Sequence, residues 1–252
     1  MAFAEIAFEN YEQSVPAALD GVHAGQILAG QARVLVKPNL VNSSPPPVTT
    51  PLACVEAVIA YVRAHSAAEV VIAEGCGAAD VETSEVFDRL GYTDMAERLG
   101  VELVDLNTAD TIVVREPSCR IFPRFYLPAI AREAFIVSVP VLKAHSLADI
   151  TGTLKNMMGF APPRYYQQGG HWKKSAFHAR MHQSIVELNR YCRADLTLMD
   201  ASIGLAEFHL GGPECSPPVQ KILAGFDGLE IDRRAAELLG LEWREIPHLA
   251  GD

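Results

Sequence analysis

Ala32–Val36 reads ARVLV, a short apolar, β-branched run that ends on Lys37-Pro38-Asn39. Such a run is the mark of a buried strand. Asn39–Thr50 is rich in Pro and Ser, with Ser43-Ser44-Pro45-Pro46-Pro47 inside it, and reads as a loop. Pro51, well tolerated in a first helical turn, opens a helical pattern that runs to His65. Glu69–Ala73 (EVVIA) is a second buried strand, and Gly75-Cys76-Gly77 is a turn. A helical stretch covers Thr83–Leu99, and Val101–Leu106 is a third strand. The β-α-β-α-β order predicts an α/β fold with a mixed, mainly parallel sheet and helices on both faces.

The middle of the chain is less regular. Thr111–Arg115 and Arg120–Tyr126 suit a hairpin insertion, and Ala134–Pro140 (AFIVSVP) is another buried strand. Ile150–Met158 reads as a short helix, Phe160–Trp172 as a loop, and Ser175–Tyr191 as one amphipathic helix. Asp195–Met199 and Val219–Ala224 read as strands, Leu229–Leu241 as a helix, and the tail after Trp243 as irregular. The expectation is a single α/β domain over 1–252, with an irregular basic lid near 143–180.

Composition agrees with a globular protein. The 252 residues are 49% apolar and 21% charged, which excludes disordered, collagen-like and coiled-coil classes. The longest apolar stretch, Leu127–Leu142, is interrupted by Arg132 and Glu133, short of the ~20 residues of a membrane span. No Lys or Arg precedes Arg33, unlike a basic secretory leader, and the five cysteines form no CxxC pair. A cytoplasmic protein without a disulfide framework is expected.

The net charge of −10 argues against a nucleic-acid binder, but the charge is uneven. Lys143–Arg180 holds six Lys and Arg against Asp149 alone, four of the six lysines in the chain, and His145, His171 and His178. A single-sign cluster in an acidic protein repels itself and calls for an anion. The plainer alternative is a basic loop paired with acids elsewhere in the fold.

Parallel sheets bind ligands at the carboxyl ends of their strands. Here those ends carry Lys37 and Asn39, Glu74, Lys143 and His145, and Asp200. At Thr151–Asn156 (TGTLKN), an expected helix start, free backbone N–H groups and the open approach at Gly152 suit a carboxylate or phosphate, with Lys155 adding charge. A simple Thr cap explains the same residues. Neither GxxxxGK[ST] nor a GxGxxG after a strand occurs, so ATPase and dinucleotide-binding readings are set aside. His178 and His182, four apart on one helix face, could hold a divalent metal with His145. A pair of histidines facing an anion or solvent is the better reading, so no metal ligand is assigned. Cys76 between two glycines suits a small filler better than a nucleophile.

VLVKPNLV at Val34–Val41, VPVLKAHSLADITGTLKNMMG at Val139–Gly159, DLTLMDASIG at Asp195–Gly204 and ILAGFDGLEIDRRAAELLGL at Ile222–Leu241, with the histidine-bearing helix start between them, resemble the family catalogued as domain of unknown function 362. The resemblance covers nearly the whole chain. It implies an α/β cytoplasmic protein of prokaryotic type whose site is built from the basic motif residues, and it implies no activity. Many relatives carry a ferredoxin-like cysteine cluster. This chain has no CxxCxxC, so no intrinsic iron–sulfur cluster is expected. Where relatives tend to have EGxGP, this chain reads EFHLGGP at Glu207–Pro213.

Two functions follow. The first is a cleft for a small anionic metabolite, with Lys37, Asn39, Lys143, Lys155, Asn156 and Arg164 as binding residues. His145, His178 or His182 would be its general acid or base, and Asp200 an orienting group. The second, suggested by the fused relatives, is a non-catalytic redox-partner or cofactor-maturation module for an iron–sulfur protein.

Overall fold

The structure is a computed structural model that describes residues 3–251. The outermost residues of the expected domain, 1, 2 and 252, lie outside the described residues. The strands in chain order are β1 (Phe3–Ala7), β2 (Arg33–Pro38), β3 (Glu69–Glu74), β4 (Glu102–Asp105), β5 (Thr111–Arg115), β6 (Arg124–Pro128), β7 (Phe135–Val139), β8 (Val141–His145), β9 (Asp149–Thr151), β10 (Leu196–Leu205) and β11 (Lys221–Gly225). The main sheet runs β1-β11-β10-β7-β2-β3-β4. Its five strands from β10 to β4 are parallel; β11 and β1 extend it antiparallel. β5 and β6 pair as a separate hairpin.

Alternation along each strand sorts the core into two faces. Val34 and Val36 of β2 join Val70, Ile72, Val137 and Val139 under helices Tyr11–Gly21, Leu52–His65 and Tyr92–Leu99. Leu35 faces the other way with Val71, Ala73 and Ile136, beneath helix Met181–Tyr191 and the β5–β6 hairpin. On that same side Met199 and Leu223 pack on helix Gly228–Leu238. The sheet is thus covered on both faces. Among the described residues no helix is long and apolar enough to cross a membrane.

Several expected elements take a different form. Thr83–Leu99 is two helices, Thr83–Arg89 and Tyr92–Leu99, separated where Gly91 adopts φ +79°. The helix expected over Ile150–Met158 is shared out between β9, one turn at Thr153–Asn156 and a 3-10 turn at Met157–Phe160. Gly152 is extended and Asp149 sits at φ +59°, which closes the β8–β9 hairpin before any helix can begin. Ser175–Tyr191 is a 3-10 turn, Ser175–Arg180, then helix Met181–Tyr191, with non-helical angles at Arg180. The expected loop Phe160–Trp172 contains the turn Pro163–Tyr166, and the tail holds a short helix, Pro247–Ala250.

Candidate functional site

The parallel strands deliver polar groups to one end of the sheet. Lys37, next to last in β2, is completely buried beside Glu74, the last residue of β3, with Nζ to Oε1 at 2.8 Å. Glu74 also accepts from the backbone of Gly75 and Leu40 at 2.7 and 2.9 Å. Asn156 locks this pair to the next strand. Its Oδ1 accepts from Lys37 and from Asn39 at 3.1 Å each, and its Nδ2 donates to the Lys37 carbonyl and Ser138 Oγ. A Cβ on Gly159 would collide with Glu74 Oε1 and the end of Lys37, so glycine is required three residues after Asn156. The KPN and LKNxxG elements are therefore two halves of one buried joint. Burial pulls the Lys37 amine down, and the Glu74 carboxylate opposes that.

Above this joint lies a cavity of about 250 Å³ lined by Asn39, Lys143, His145, Lys155, Lys174 and His178, with Glu74 and Asn156 on its floor. Lys143 donates to Asn39 Oδ1 at 2.5 Å and the Val48 carbonyl at 2.7 Å. Lys174 donates to Asn107 Oδ1 and to the Ala161 carbonyl. These partners are neutral oxygens. Burial, with the Lys155 charge adding to it, lowers Lys143 to about 7, and burial lowers Lys174 to about 7. Lys155 is lowered to about 8 by burial and then by Lys37, and no protein acceptor within hydrogen-bond distance meets its Nζ among the described residues. Three amines thus line a space in which the single carboxylate among the described residues, Glu74, is already bonded to Lys37.

The histidines of the cavity are kept neutral. His145 Nδ1 accepts from the backbone N–H of Leu147 and Ala148 at 3.0 and 3.2 Å. That fixes the proton on Nε2, so the ring presents a donor, not a base. Burial and then Lys155 push its pKa far down. His209 stacks on it, centroids 3.8 Å apart, and is lowered to about 3 by burial and the neighbouring lysines. His209 Nδ1 is enclosed without a partner among the described residues. His178 is half-buried and lowered by burial and by Lys155. Leu147, Trp172 and Phe208, 50%, 37% and 42% exposed, form an apolar rim at the cavity mouth.

The structure gathers Asn39, Lys143, His145, Lys155, Asn156 and His178 on the cavity, with Lys37 directly beneath. It does not gather His182, Asp200 or Arg164. The break at Arg180 turns His182 away from His178; its Nδ1 lies 2.9 Å from His248 Nδ1 and its Nε2 3.7 Å from Asp149. His145, His178 and His182 therefore do not converge, and among the described residues no group of three or more His, Cys, Asp or Glu side chains is arranged to hold a metal. Asp200 is buried under Tyr11, whose hydroxyl donates to it at 3.1 Å, and burial raises its carboxyl. It orients no histidine. Arg164 donates to the Ala109 carbonyl and lies over the Tyr165 ring.

The helix start is also filled from within. The Asp232 carboxylate accepts from the backbone N–H of Thr153 and Leu154 at 2.7 and 2.9 Å, and a Cβ on Gly152 would strike it. The anion expected at this N-terminus is a side chain of the chain itself. Cys76 is fully buried with Sγ donating to the Val81 carbonyl, a packing role. Lys174, His209 and the rim residues carried no specific signal in the sequence. Only the basic bias of the segment pointed at Lys174, and the EFHLGGP departure at His209.

A family model described as Domain of unknown function (DUF362) matches residues 34–237. No curated protein matches. Among solved structures, the chain is similar to that of the lactate racemase apoprotein from Thermoanaerobacterium thermosaccharolyticum, at TM-score 0.58 and 14% identity over 90% of this chain and 54% of that one. This chain thus spans about half the length of that structure, and the likeness is one of fold.

Proposed function

This chain belongs to the DUF362 family, and we propose that its cleft binds a small organic carboxylate bearing an apolar group. One observation carries this reading: the amines of buried Lys143 and Lys174 and of half-buried Lys155 surround a cavity with no free carboxylate among the described residues to balance them. Desolvated cations without a counterion are costly, and a bound anion reverses the sign of that cost while accepting charge-assisted hydrogen bonds. The Leu147, Trp172 and Phe208 rim favours an apolar substituent over bare phosphate. A compound of the lactate type is the natural first trial, since the similar fold above is named for acting on one. Proton-transfer chemistry fits the same groups. Lys143 and Lys174 at about 7 and Lys155 at about 8 exchange protons near neutrality, whereas His145 serves as a neutral donor.

The rim also favours a second reading, in which Leu147, Trp172 and Phe208 dock a partner protein such as an iron–sulfur protein. Trp172 separates the two. Trp243 lies apart, sandwiched by Arg233 and Arg244 at 4.3 Å, so a Trp243→Phe variant reports from the cleft alone. Titration with 3-phenyllactate should change its fluorescence saturably, more tightly than lactate and far more tightly than phosphate. No response to any of the three would remove the small-carboxylate reading and favour the docking one.

A further inference from the structure

We propose that Lys155 is a nucleophile that joins the carbonyl carbon of a small 2-oxo acid as an imine; this rests on the carboxylate reading above and names its substrate class. Among the six lysines, Lys155 alone has no acceptor within hydrogen-bond distance among the described residues. Lys37, Lys143, Lys173 and Lys174 each hold two or more, and Lys221 holds Glu5. The backbone that carries it is held from both sides. Asp232 binds the backbone at Thr153 and Leu154, and Asn156, the next residue, is bonded to both Lys37 and Ser138. A half-buried amine that lines a cavity and has no protein acceptor among the described residues is placed to meet a ligand.

Its surroundings suit the neutral, nucleophilic form. Lys37, Lys143, His145, His178, His209 and His248 are the titratable groups whose fields meet it, and the carboxylate on the cavity floor, Glu74, is bonded to Lys37. A desolvated lysine beside another cation holds its lone pair near neutral pH. The other groups match the rest of a 2-oxo acid. Lys143 and Lys174 meet the carboxylate, the Nε2–H of His145 donates to the carbonyl oxygen, and the rim covers the apolar end.

The step balances without an oxidant or reductant. The Lys155 lone pair adds to the carbonyl carbon and the C=O π pair moves to oxygen. Proton transfer from nitrogen to that oxygen gives the carbinolamine. Loss of the second N–H proton and of hydroxide, together one water, leaves the C=N bond.

Trapping with sodium cyanoborohydride tests this. The full chain is incubated with pyruvate and, separately, phenylpyruvate, then analysed by intact mass and peptide mapping. One adduct per chain, confined to Lys155 and abolished in Lys155→Met, is expected. Its yield should rise with pH and level off just above pH 8, where an ordinary lysine keeps rising toward ~10.4. Lactate, which has no carbonyl, serves as the separating control through Trp172 fluorescence. Lactate binding by both wild type and Lys155→Met, with no adduct from either oxo acid, overturns the proposal and leaves the carboxylate reading standing. Adducts spread over surface lysines overturn it as well. Absence of both lactate binding and adduct overturns the two together.

Discussion

Lys37 and Lys174 are both buried amines at the carboxyl end of the sheet, yet they sit in opposite electrical settings. Lys37 meets Glu74 at 2.8 Å and donates its remaining bonds to the Pro38 carbonyl and Asn156 Oδ1. Lys174, like Lys143, meets only the neutral oxygens of an amide and a carbonyl. The first is a closed joint that ties β2, β3 and the Asn156 turn together. The others hold charge toward an open cavity with nothing to offset it. The difference separates residues that make the site possible from residues that would use it, a distinction that residue type alone does not provide.

The largest expected effect lies on the closed side. Glu74→Gln leaves the Lys37 ammonium buried without its counterion and should cost about 3–5 kcal/mol in urea unfolding. On the open side, Lys143→Met and Lys174→Met should each leave the empty protein at neutral pH as stable as the wild type or more so, since each removes an amine that burial penalises. Each should weaken 3-phenyllactate by roughly 10–100-fold, the value of a lost charged hydrogen bond. Equal destabilisation by all three substitutions would erase the comparison.

The pH response sharpens it further. Lys143 and Lys174 titrate at about 7 and Lys155 at about 8 in the folded chain, against ~10.4 in the unfolded one. Between pH 7 and about 10 the unfolded chain therefore binds more protons, and stability should rise with pH across that window. Lys174→Met should flatten the rise, as read from urea midpoints at pH 7 and 9. The smallest effects belong to residues outside the cavity. Arg164→Ala and His182→Ala should leave 3-phenyllactate affinity within about twofold. Slower protease cleavage within Phe160–Trp172 on ligand addition would support its reading as a lid, since Trp172 at its end lines the cavity mouth.

How far the sequence went follows the same line. The β-α-β-α-β half was legible because ARVLV and EVVIA are continuous apolar runs, as strands covered on both faces must be. β8 was not, because Val141–His145 is buried along its whole length yet carries Lys and His turned to the cavity, so no apolar period marks it. The break at Arg180 was invisible because residues on either side keep a helical spacing while the backbone turns. Lys37, Asn39, Lys143, Lys155 and Asn156 could be proposed together because each follows a strand or opens a turn. That Lys37 is paid off by Glu74, and the helix start by Asp232, are long-range pairings 37 and 79 residues apart, beyond what local pattern carries.

The most direct test of the account is the proton balance of binding. Calorimetric titration of 3-phenyllactate at pH 8, in two buffers of different ionisation enthalpy, counts protons exchanged. A carboxylate among amines that are partly neutral should draw protons onto Lys143, Lys155 and Lys174, so net uptake is predicted, smaller in Lys174→Met. Binding with no proton uptake, or with release, would contradict the claim that these lysines await an anion.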